Sequence, residues 1–152
     1  MYKLIKEIAA RSYESAKNRG KDVTCQGCKE YLGQELAEYW EAIHAEQDLG
    51  LWRRIITNAE TMADSLFVAY YDAHIHNTAT DELADILITA ATWTRAAELA
   101  GGEHFRPDHS LDVILACGAV FFVSRAVHSL YEAECLRRVV NLKLRYNDLR
   151  PN

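Results

Sequence analysis

Apolar residues recur every three or four positions along almost the whole chain, which is the spacing of one face of an α-helix. Within residues 28–47, for example, the apolar stripe runs through Leu32, Leu36, Tyr39 and Ile43. No segment of the sequence shows the alternation of apolar and polar residues that is typical of a half-buried strand. The 7 Gly and 2 Pro are too few for the turns of an all-β sandwich or barrel. The periodicity therefore predicts an all-α fold.

Interruptions in this periodicity divide the chain into helical segments with short connections. The predicted helices cover residues 2–19, 28–47, 51–76, about 80–101 and 110–146. Thr78 or Thr80 is predicted to cap the fourth helix, and the fifth has a candidate bend near Gly118. Four or five long helices with short connections predict an antiparallel bundle. Because no linker, repeat or low-complexity tract separates them, residues 1–152 are predicted to form a single domain.

Charge and composition exclude several classes of protein. The chain carries 17 Lys plus Arg against 22 Asp plus Glu, a net charge of −5, which argues against binding to a nucleic-acid polymer. The charged N-terminal segment does not have the pattern of a secretory signal. The longest uncharged apolar run, residues 113–124, is far shorter than the ~20 residues that a membrane span needs. We therefore expect a cytoplasmic protein that does not bind membranes.

Cys25 and Cys28 form a Cys-x-x-Cys pair. A zinc site would need a second pair of ligands, but 17 residues of a helical pattern separate the remaining cysteines, Cys117 and Cys135. A thioredoxin-like motif would need neighbouring strands, which the sequence does not predict. We interpret the pair as structural or incidental.

Two pairs of carboxylates have the form acid–Leu–Ala–acid: Glu35 with Glu38, and Glu82 with Asp85. Three residues are close to one helical turn, so the two acids of each pair share a helix face. Such pairs are common on solvated faces, but these two border apolar stripes. If the two helices pack together, four carboxylates converge and repel one another. A divalent cation with oxygen ligands removes this repulsion, and Mg²⁺ is the common choice beside phosphates.

These segments resemble the two sequence signatures of the all-α nucleoside triphosphate pyrophosphohydrolases, the MazG-like superfamily. Residues 32–38 with 41–43 are similar to the first signature, and residues 81–87 are similar to the second. The chain departs from the family pattern at Gln34, where a leading Glu usually stands. The 43 residues between Glu38 and Glu82 form a longer connection than is common in the family. The resemblance covers roughly residues 28–99.

The resemblance implies an enzyme that uses Mg²⁺, or alternatively Mn²⁺, to cleave a nucleoside triphosphate into the monophosphate and pyrophosphate. Its biological role would be nucleotide-pool house-cleaning. By position, the implied metal ligands are Glu35, Glu38, Glu82 and Asp85. Bundles of this family are completed between subunits, which implies a homodimer or a homotetramer. The apolar run 113–123 is the candidate interface, and an ordinary core helix is the alternative.

Other residues have candidate roles in the same chemistry. Glu38 is the candidate base for the attacking water, and Glu41, one turn further along, is the other candidate. Thr89 and Trp93 follow Asp85 by four and eight residues and are candidate contacts to the base or sugar. At helical spacing, a Trp such as Trp93 is more often a core residue than a platform for stacking a base. The candidate phosphate contacts, each with a solvated surface cation as its alternative, are Lys29, Arg53, Arg54 and Arg95.

Two rival interpretations are weaker. A carboxylate-bridged di-iron bundle uses two Glu-x-x-His motifs, whereas this sequence has one, from Glu41 to His44. A catalytically silent helical module that binds a nucleotide or a partner protein fits everything outside the acidic pairs. The pairs themselves favour the enzyme, because neither folding nor docking requires four converging acids.

Overall fold

The computed structural model describes residues 1–43 and 49–150, and all regular structure within them is helical. The all-α prediction is therefore confirmed for these residues, although the helices are more numerous and shorter than predicted. Two short 3₁₀ turns, Gly102–His104 and Pro107–His109, precede the sixth helix. In this part of the chain the α-helices are α1 (Tyr2–Asn18), α2 (Cys25–Ala42), α3 (Leu49–Thr61), α4 (Asp64–His74), α5 (Ala79–Gly101), α6 (Leu111–Ala126) and α7 (Leu130–Leu149).

Helix α5 lies at the centre of the fold and packs against α1, α2, α6 and α7. Its side chains are buried on most of its surface, including Ile86, Leu87 and Trp93. The helix begins where the hydroxyl oxygen of Thr78 accepts a hydrogen bond of 3.2 Å from the backbone N–H of Asp81, which satisfies one of the free amides of the first turn. Of the two caps predicted from the sequence, Thr78 and Thr80, the residue that caps α5 is therefore Thr78.

The prediction of one helix over residues 51–76 is wrong, because the chain breaks into α3 and α4 at Met62–Ala63. No Gly or Pro marks this break. Arg145 of α7 stabilises it instead, by donating to the carbonyl oxygens of Ala59 at 3.1 Å and Met62 at 2.6 Å. The same guanidinium contacts Asp64, in the first turn of α4, at 2.6 Å. A tertiary contact therefore overrides the local helical pattern.

The prediction of one helix over residues 110–146 is also wrong, because α6 and α7 are separate. The chain continues as a helix through Gly118 and breaks instead at residues 127–129. The Ser129 hydroxyl accepts from the N–H of Glu132 at 3.1 Å, while the Glu132 carboxylate accepts from the N–H of His128 at 2.7 Å. This reciprocal arrangement is close to a capping box, and it starts a new helix within the apolar pattern.

The remaining boundaries agree more closely with the sequence. Helix α1 matches its predicted extent, and α2 begins three residues earlier than predicted, after the cap at Thr24. The predicted end of the second helix at Gln47 lies outside the described residues, as does His44 of the Glu-x-x-His motif. Among the helices that the structure describes, none combines the length and the apolar character needed to cross a membrane.

Gly20 ends α1 in a left-handed turn with φ +72°. The N–H of Gly20 donates to Lys17 at 3.0 Å, and the N–H of Lys21 donates to Ala16 at 3.0 Å. Both bonds satisfy carbonyl groups of the last helical turn, as in a Schellman motif. The turn directs the chain towards α2, and it places Arg19 and Lys21 on either side of Gly20.

We predict that Gly20→Ala lowers the free energy of unfolding by about 1 kcal/mol, because an L-residue is disfavoured in the left-handed region. No atom lies within 4 Å of the added Cβ, so the effect would come from the backbone alone. Urea denaturation would measure it. The matched control is Gly33→Ala in α2, where there is equal space and helix propensity predicts a gain of up to about 1 kcal/mol. Equal stability of the two variants would contradict the role of the turn.

Candidate metal centre

Three of the four predicted metal ligands come together between α2 and α5. Glu35, Glu38 and Glu82 each offer one carboxylate oxygen, and these oxygens lie within 4.8 Å of one another. We refer to these three residues as the acidic cluster. Two of them lie three residues apart on α2, so helical geometry places both carboxylates towards α5. The packing of α2 against α5 then adds Glu82 from the first turns of the central helix.

The acidic cluster is only partly solvated. Glu82 is 3% exposed and Glu35 is 9% exposed, whereas Glu38 is open to solvent. Burial, followed by the nearby charge of Asp85, raises the pKa of Glu35 to about 8. Burial and the same neighbouring aspartate also raise the pKa of Glu82 to about 8. Converging carboxylates in a partly buried site therefore resist ionisation unless a cation accompanies them.

The donor set of the acidic cluster fits a hard divalent cation. The buried Oε2 of Glu82 has no hydrogen-bond partner among the described residues, and such an orphaned acceptor is costly unless a ligand satisfies it. All three donors are carboxylates, which Mg²⁺ prefers, and it holds them at roughly 2.0–2.1 Å.

Asp85, the fourth predicted ligand, contacts Lys143 of α7 instead of joining the acidic cluster. The Asp85 Oδ2 lies 2.6 Å from the Lys143 Nζ. The ammonium group also donates to both carboxylate oxygens of Asp81, at 2.9 and 3.1 Å. Lys143 is 3% exposed. Burial alone would lower its pKa, but the two aspartates outweigh that effect and raise it. Lys143 is therefore a buried cation shared between two acids.

Asp81 is fully buried and accepts hydrogen bonds from several sides. Tyr71 of α4 donates its hydroxyl to one oxygen, and the backbone N–H of Asn77 donates to the other at 3.0 Å. The ring Nδ1 of His76 lies 3.3 Å from the same second oxygen. Burial would raise the pKa of Asp81, but these contacts, beginning with His76, hold it below its ordinary value. Asp81 therefore stays ionised and keeps Lys143 in place.

A narrow cavity of about 30 Å³ adjoins the acidic cluster on the side of α1. Its lining includes Glu35 and Asp85, together with Thr89 one turn further along α5. Thr89 is half-buried. Of the six candidate substrate contacts predicted from the sequence, it is the one that lines this cavity beside Glu35 and Asp85.

The other candidate contacts lie elsewhere. Lys29 is exposed on α2, six residues before Glu35 and so on a different helix face. Trp93 is 2% exposed, and its indole N–H donates to Asp112 at 2.8 Å. Arg95 pairs with Glu98 at 2.7 Å, about four turns of α5 away from the start of the helix.

The remaining candidates lie at the surface. Glu41 is exposed one turn beyond Glu38. Its carboxylate is not among the three whose oxygens lie within 4.8 Å of one another. Arg53 lies over the ring of Tyr131, and Arg54 is exposed.

The Cys-x-x-Cys pair lies in the first turn of α2. Both thiols are free, and Cys28 is 1% exposed. Burial raises the pKa of Cys28 to about 12, so its thiol stays protonated at neutral pH. The structural interpretation of the pair agrees with this environment, because a reactive cysteine needs an accessible thiolate.

Lys143 is one of the residues of the site that the sequence prediction missed, although the sequence contains a signal for it. The residue follows Val139 and Val140 at helical spacing and therefore lies on the apolar stripe of α7. A lysine on such a stripe is almost never buried without an acidic partner. The sequence does not identify the partner, because 61 residues separate Lys143 from Asp81.

No family model, curated protein or solved structure matches this chain.

We predict that the stability of the metal-free protein falls as the pH rises from about 5 to about 8. The pKa of Glu35 and of Glu82 is raised from 4.5 to about 8. Their stabilising contribution is therefore complete below about pH 4.5 and is lost as they ionise in the folded state. Thermal melts across this range would measure the effect. The double variant Glu35→Gln with Glu82→Gln should show a flatter dependence.

The effect of MgCl₂ on the melting temperature is a second test of the Glu35 and Glu82 carboxylates. Because the metal binds ionised carboxylates, MgCl₂ should raise the melting temperature more at about pH 8 than at about pH 5. An equal effect of MgCl₂ on the wild type and the double variant would contradict a metal site at the acidic cluster.

Proposed function

We propose that the protein is a Mg²⁺-dependent nucleoside triphosphate pyrophosphohydrolase that acts on the cytoplasmic nucleotide pool. One observation carries this proposal: two acid–Leu–Ala–acid motifs on neighbouring helices bring three carboxylates within 4.8 Å. The unpartnered oxygen of buried Glu82 supports a cation there. Mn²⁺ is the alternative metal. The finer arrangement of the helices, with α2 and α5 carrying the two motifs, would then be that of a MazG-like bundle.

The proposed reaction breaks the bond between the α-phosphorus and the oxygen that bridges to the β-phosphate. The oxygen of a water molecule attacks the α-phosphorus, and the pyrophosphate leaves with the bridging oxygen. When bound, Mg²⁺ would supply positive charge that offsets the negative charge developing on the phosphates. The residues proposed to hold it are the acidic cluster, Glu35, Glu38 and Glu82. Asp85, the fourth ligand that the resemblance implies, is paired with Lys143 and would have to exchange that partner for the ion.

Glu38 is the preferred general base. It belongs to the acidic cluster and is open to solvent, so its carboxylate can reach a water molecule and accept the proton that the attack releases. The carboxylates of Glu35 and Glu82 are more buried, and burial keeps them away from bulk water. Glu41 remains the second candidate base, one turn along the same helix. Thr89, in the adjoining cavity, is a candidate contact to the nucleotide.

We predict that the wild-type protein releases pyrophosphate from at least one ribo- or deoxyribonucleoside triphosphate when Mg²⁺ is present. Glu38→Gln keeps the size of the side chain but removes the base, so kcat should fall by about 10²-fold or more. Combining it with Glu82→Gln should abolish the reaction. A pyrophosphate-release assay over a panel of triphosphates, with and without Mg²⁺, would measure these effects.

Glu30→Gln is the matched control, because Glu30 lies on α2 at the surface and contacts Gln26. The same charge change at this position should leave kcat unaltered. Absence of pyrophosphate release by the wild type with every triphosphate, or equal activity of the double variant, would refute the proposed reaction. A Mg²⁺-independent thermal shift with nucleotide, without hydrolysis, would favour the catalytically silent binding module.

We also propose that the protein forms a homodimer, or a homotetramer built from two such dimers, through α6. One face of this helix carries buried core residues such as Val120 and Val123. The opposite face presents Ile114 and Phe121, which are 55% and 67% exposed, on either side of Gly118. A helix that is apolar all round is normally buried. A second copy of the chain would cover this stripe, with Gly118 permitting close approach.

We predict that Ile114→Asp with Phe121→Asp converts the oligomer into a monomer, because the charges would be buried against an apolar surface. Sedimentation velocity would measure the change. The control is Leu66→Asp on α4, which is 63% exposed and outside the proposed interface. A monomeric wild type, or an unchanged oligomer in the double variant, would exclude α6 as the interface.

A further inference from the structure

The carboxylate of Asp85 lies between the acidic cluster and the buried ammonium group of Lys143. On α5, Asp85 is three residues after Glu82 and four after Asp81, and both spacings place side chains on one helix face. Asp85 lines the narrow cavity together with Glu35, while its Oδ2 lies 2.6 Å from the Lys143 Nζ. Asp85 is therefore placed between two possible partners, the ammonium group and an ion held by the acidic cluster.

Of the two acids that contact Lys143, Asp85 is the more exposed and Asp81 is the more firmly held. The side chain of Asp85 is 15% exposed, whereas that of Asp81 is fully buried. Both oxygens of Asp81 accept from the ammonium group, at 2.9 and 3.1 Å. Asp81 also accepts from the Tyr71 hydroxyl and from the backbone N–H of Asn77. A change of partner would therefore break the pair with Asp85 and leave the pair with Asp81.

Two aromatic rings also contact the ammonium group of Lys143. Its Nζ lies 5.8 Å from the centre of the Tyr71 ring and 5.6 Å from the centre of the Tyr146 ring. Both distances are within the limit of about 6 Å for a cation–π contact. After losing Asp85, the ammonium group would therefore still have Asp81 and two rings to hold it inside the fold.

The acidic cluster is within electrostatic range of both members of this pair. After burial, the charge of Asp85 is the largest cause that raises the pKa of Glu35 and of Glu82. The charge of Lys143 lowers the pKa of both glutamates. An independent observation points to a missing cation on the other side of Asp85, because the buried Oε2 of Glu82 has no partner among the described residues.

We propose that Lys143 is an internal counter-ion of the metal centre, which releases Asp85 to a divalent cation and stays paired with Asp81. In the metal-free protein, Lys143 compensates the buried aspartates and keeps α7 attached to α5. When the acidic cluster holds a divalent cation, Asp85 joins the cluster. Because the ammonium group competes for Asp85, Lys143 limits how tightly the site binds a metal. The inference rests on the metal centre of the proposed function, and its test does not require the reaction.

NMR spectroscopy of the full chain with isotope-labelled lysine would follow the Lys143 side chain directly. Its resonances are those that disappear in Lys143→Met. At about pH 8, where the metal competes best with protons, saturating MgCl₂ should shift these resonances, because Asp85 leaves the ammonium group. In Asp85→Asn this partner has already lost its charge. The Lys143 resonances of that variant should therefore start close to their Mg²⁺-bound position in the wild type and should move less.

Titration calorimetry with MnCl₂ tests the same exchange through the affinity for a metal. Lys143→Met removes the competing ammonium group but keeps the length of the side chain, so the Kd for Mn²⁺ should fall by about tenfold or more. Lys17→Met is the matched control, because Lys17 is exposed in the last turn of α1, and its Kd should equal that of the wild type. Circular dichroism would establish that each variant is folded. If Lys143→Met does not fold, the resonances of Asp85→Asn decide.

The outcomes separate the internal counter-ion from the activity. Lys143 resonances that shift with MgCl₂, in a protein that hydrolyses no triphosphate, would support the counter-ion and refute the pyrophosphohydrolase. Mg²⁺-dependent hydrolysis with Lys143 resonances that do not move would refute the counter-ion and leave the activity. Equal affinity of the wild type and folded Lys143→Met for Mn²⁺ would overturn the proposal. Resonances of Asp85→Asn that coincide with those of the metal-free wild type would also overturn it.

Discussion

The ion pairs of Lys143 with Asp81 and Asp85 are the interaction on which the rest of the site depends. Helix α5 places three acids within its first two turns, in the most buried part of the fold. Ionised carboxylates there need a cation nearby, and breaking a buried pair leaves an uncompensated charge that costs about 3–5 kcal/mol. Lys143 supplies that cation from α7 and contacts both aspartates within 3.1 Å. The central helix can therefore be both acidic and buried.

Charge is unevenly compensated across the site. Asp81 and Asp85 are paired with Lys143 within the fold, whereas the carboxylates of the acidic cluster make no ion pair among the described residues. Arg19 and Lys21, beside Gly20, also make no ion pair in that part of the chain. A polyphosphate that carries its own divalent cation supplies both missing charges at once, and this matches the class of substrate that we propose.

The features that depend on local periodicity were predicted correctly from the sequence. The features that depend on contacts between residues far apart in the sequence were not. The helical class, the cap at Thr78 and the shared face of Glu35 and Glu38 follow from spacing alone. The break between α3 and α4 depends on Arg145, which is more than eighty residues away, so no local pattern contains it. Ser129 and Glu132 did have the spacing of a capping box and could have marked the break before α7. The pairing of Lys143 with Asp81 needs the tertiary fold.

Arg145 and Lys143 together determine the position of α7 along its axis and its rotation about that axis. Two residues along a helix correspond to a rotation of about 200°, so these cations leave the helix on nearly opposite sides. One is held by the acids of α5 and the other by the corner between α3 and α4. A displacement of α7 by one residue, about 1.5 Å along its axis and 100° around it, would break both attachments together. Helices α3 and α4, which lie between the two acidic motifs in the sequence, therefore help to fix the register of α7, the helix that bears Lys143.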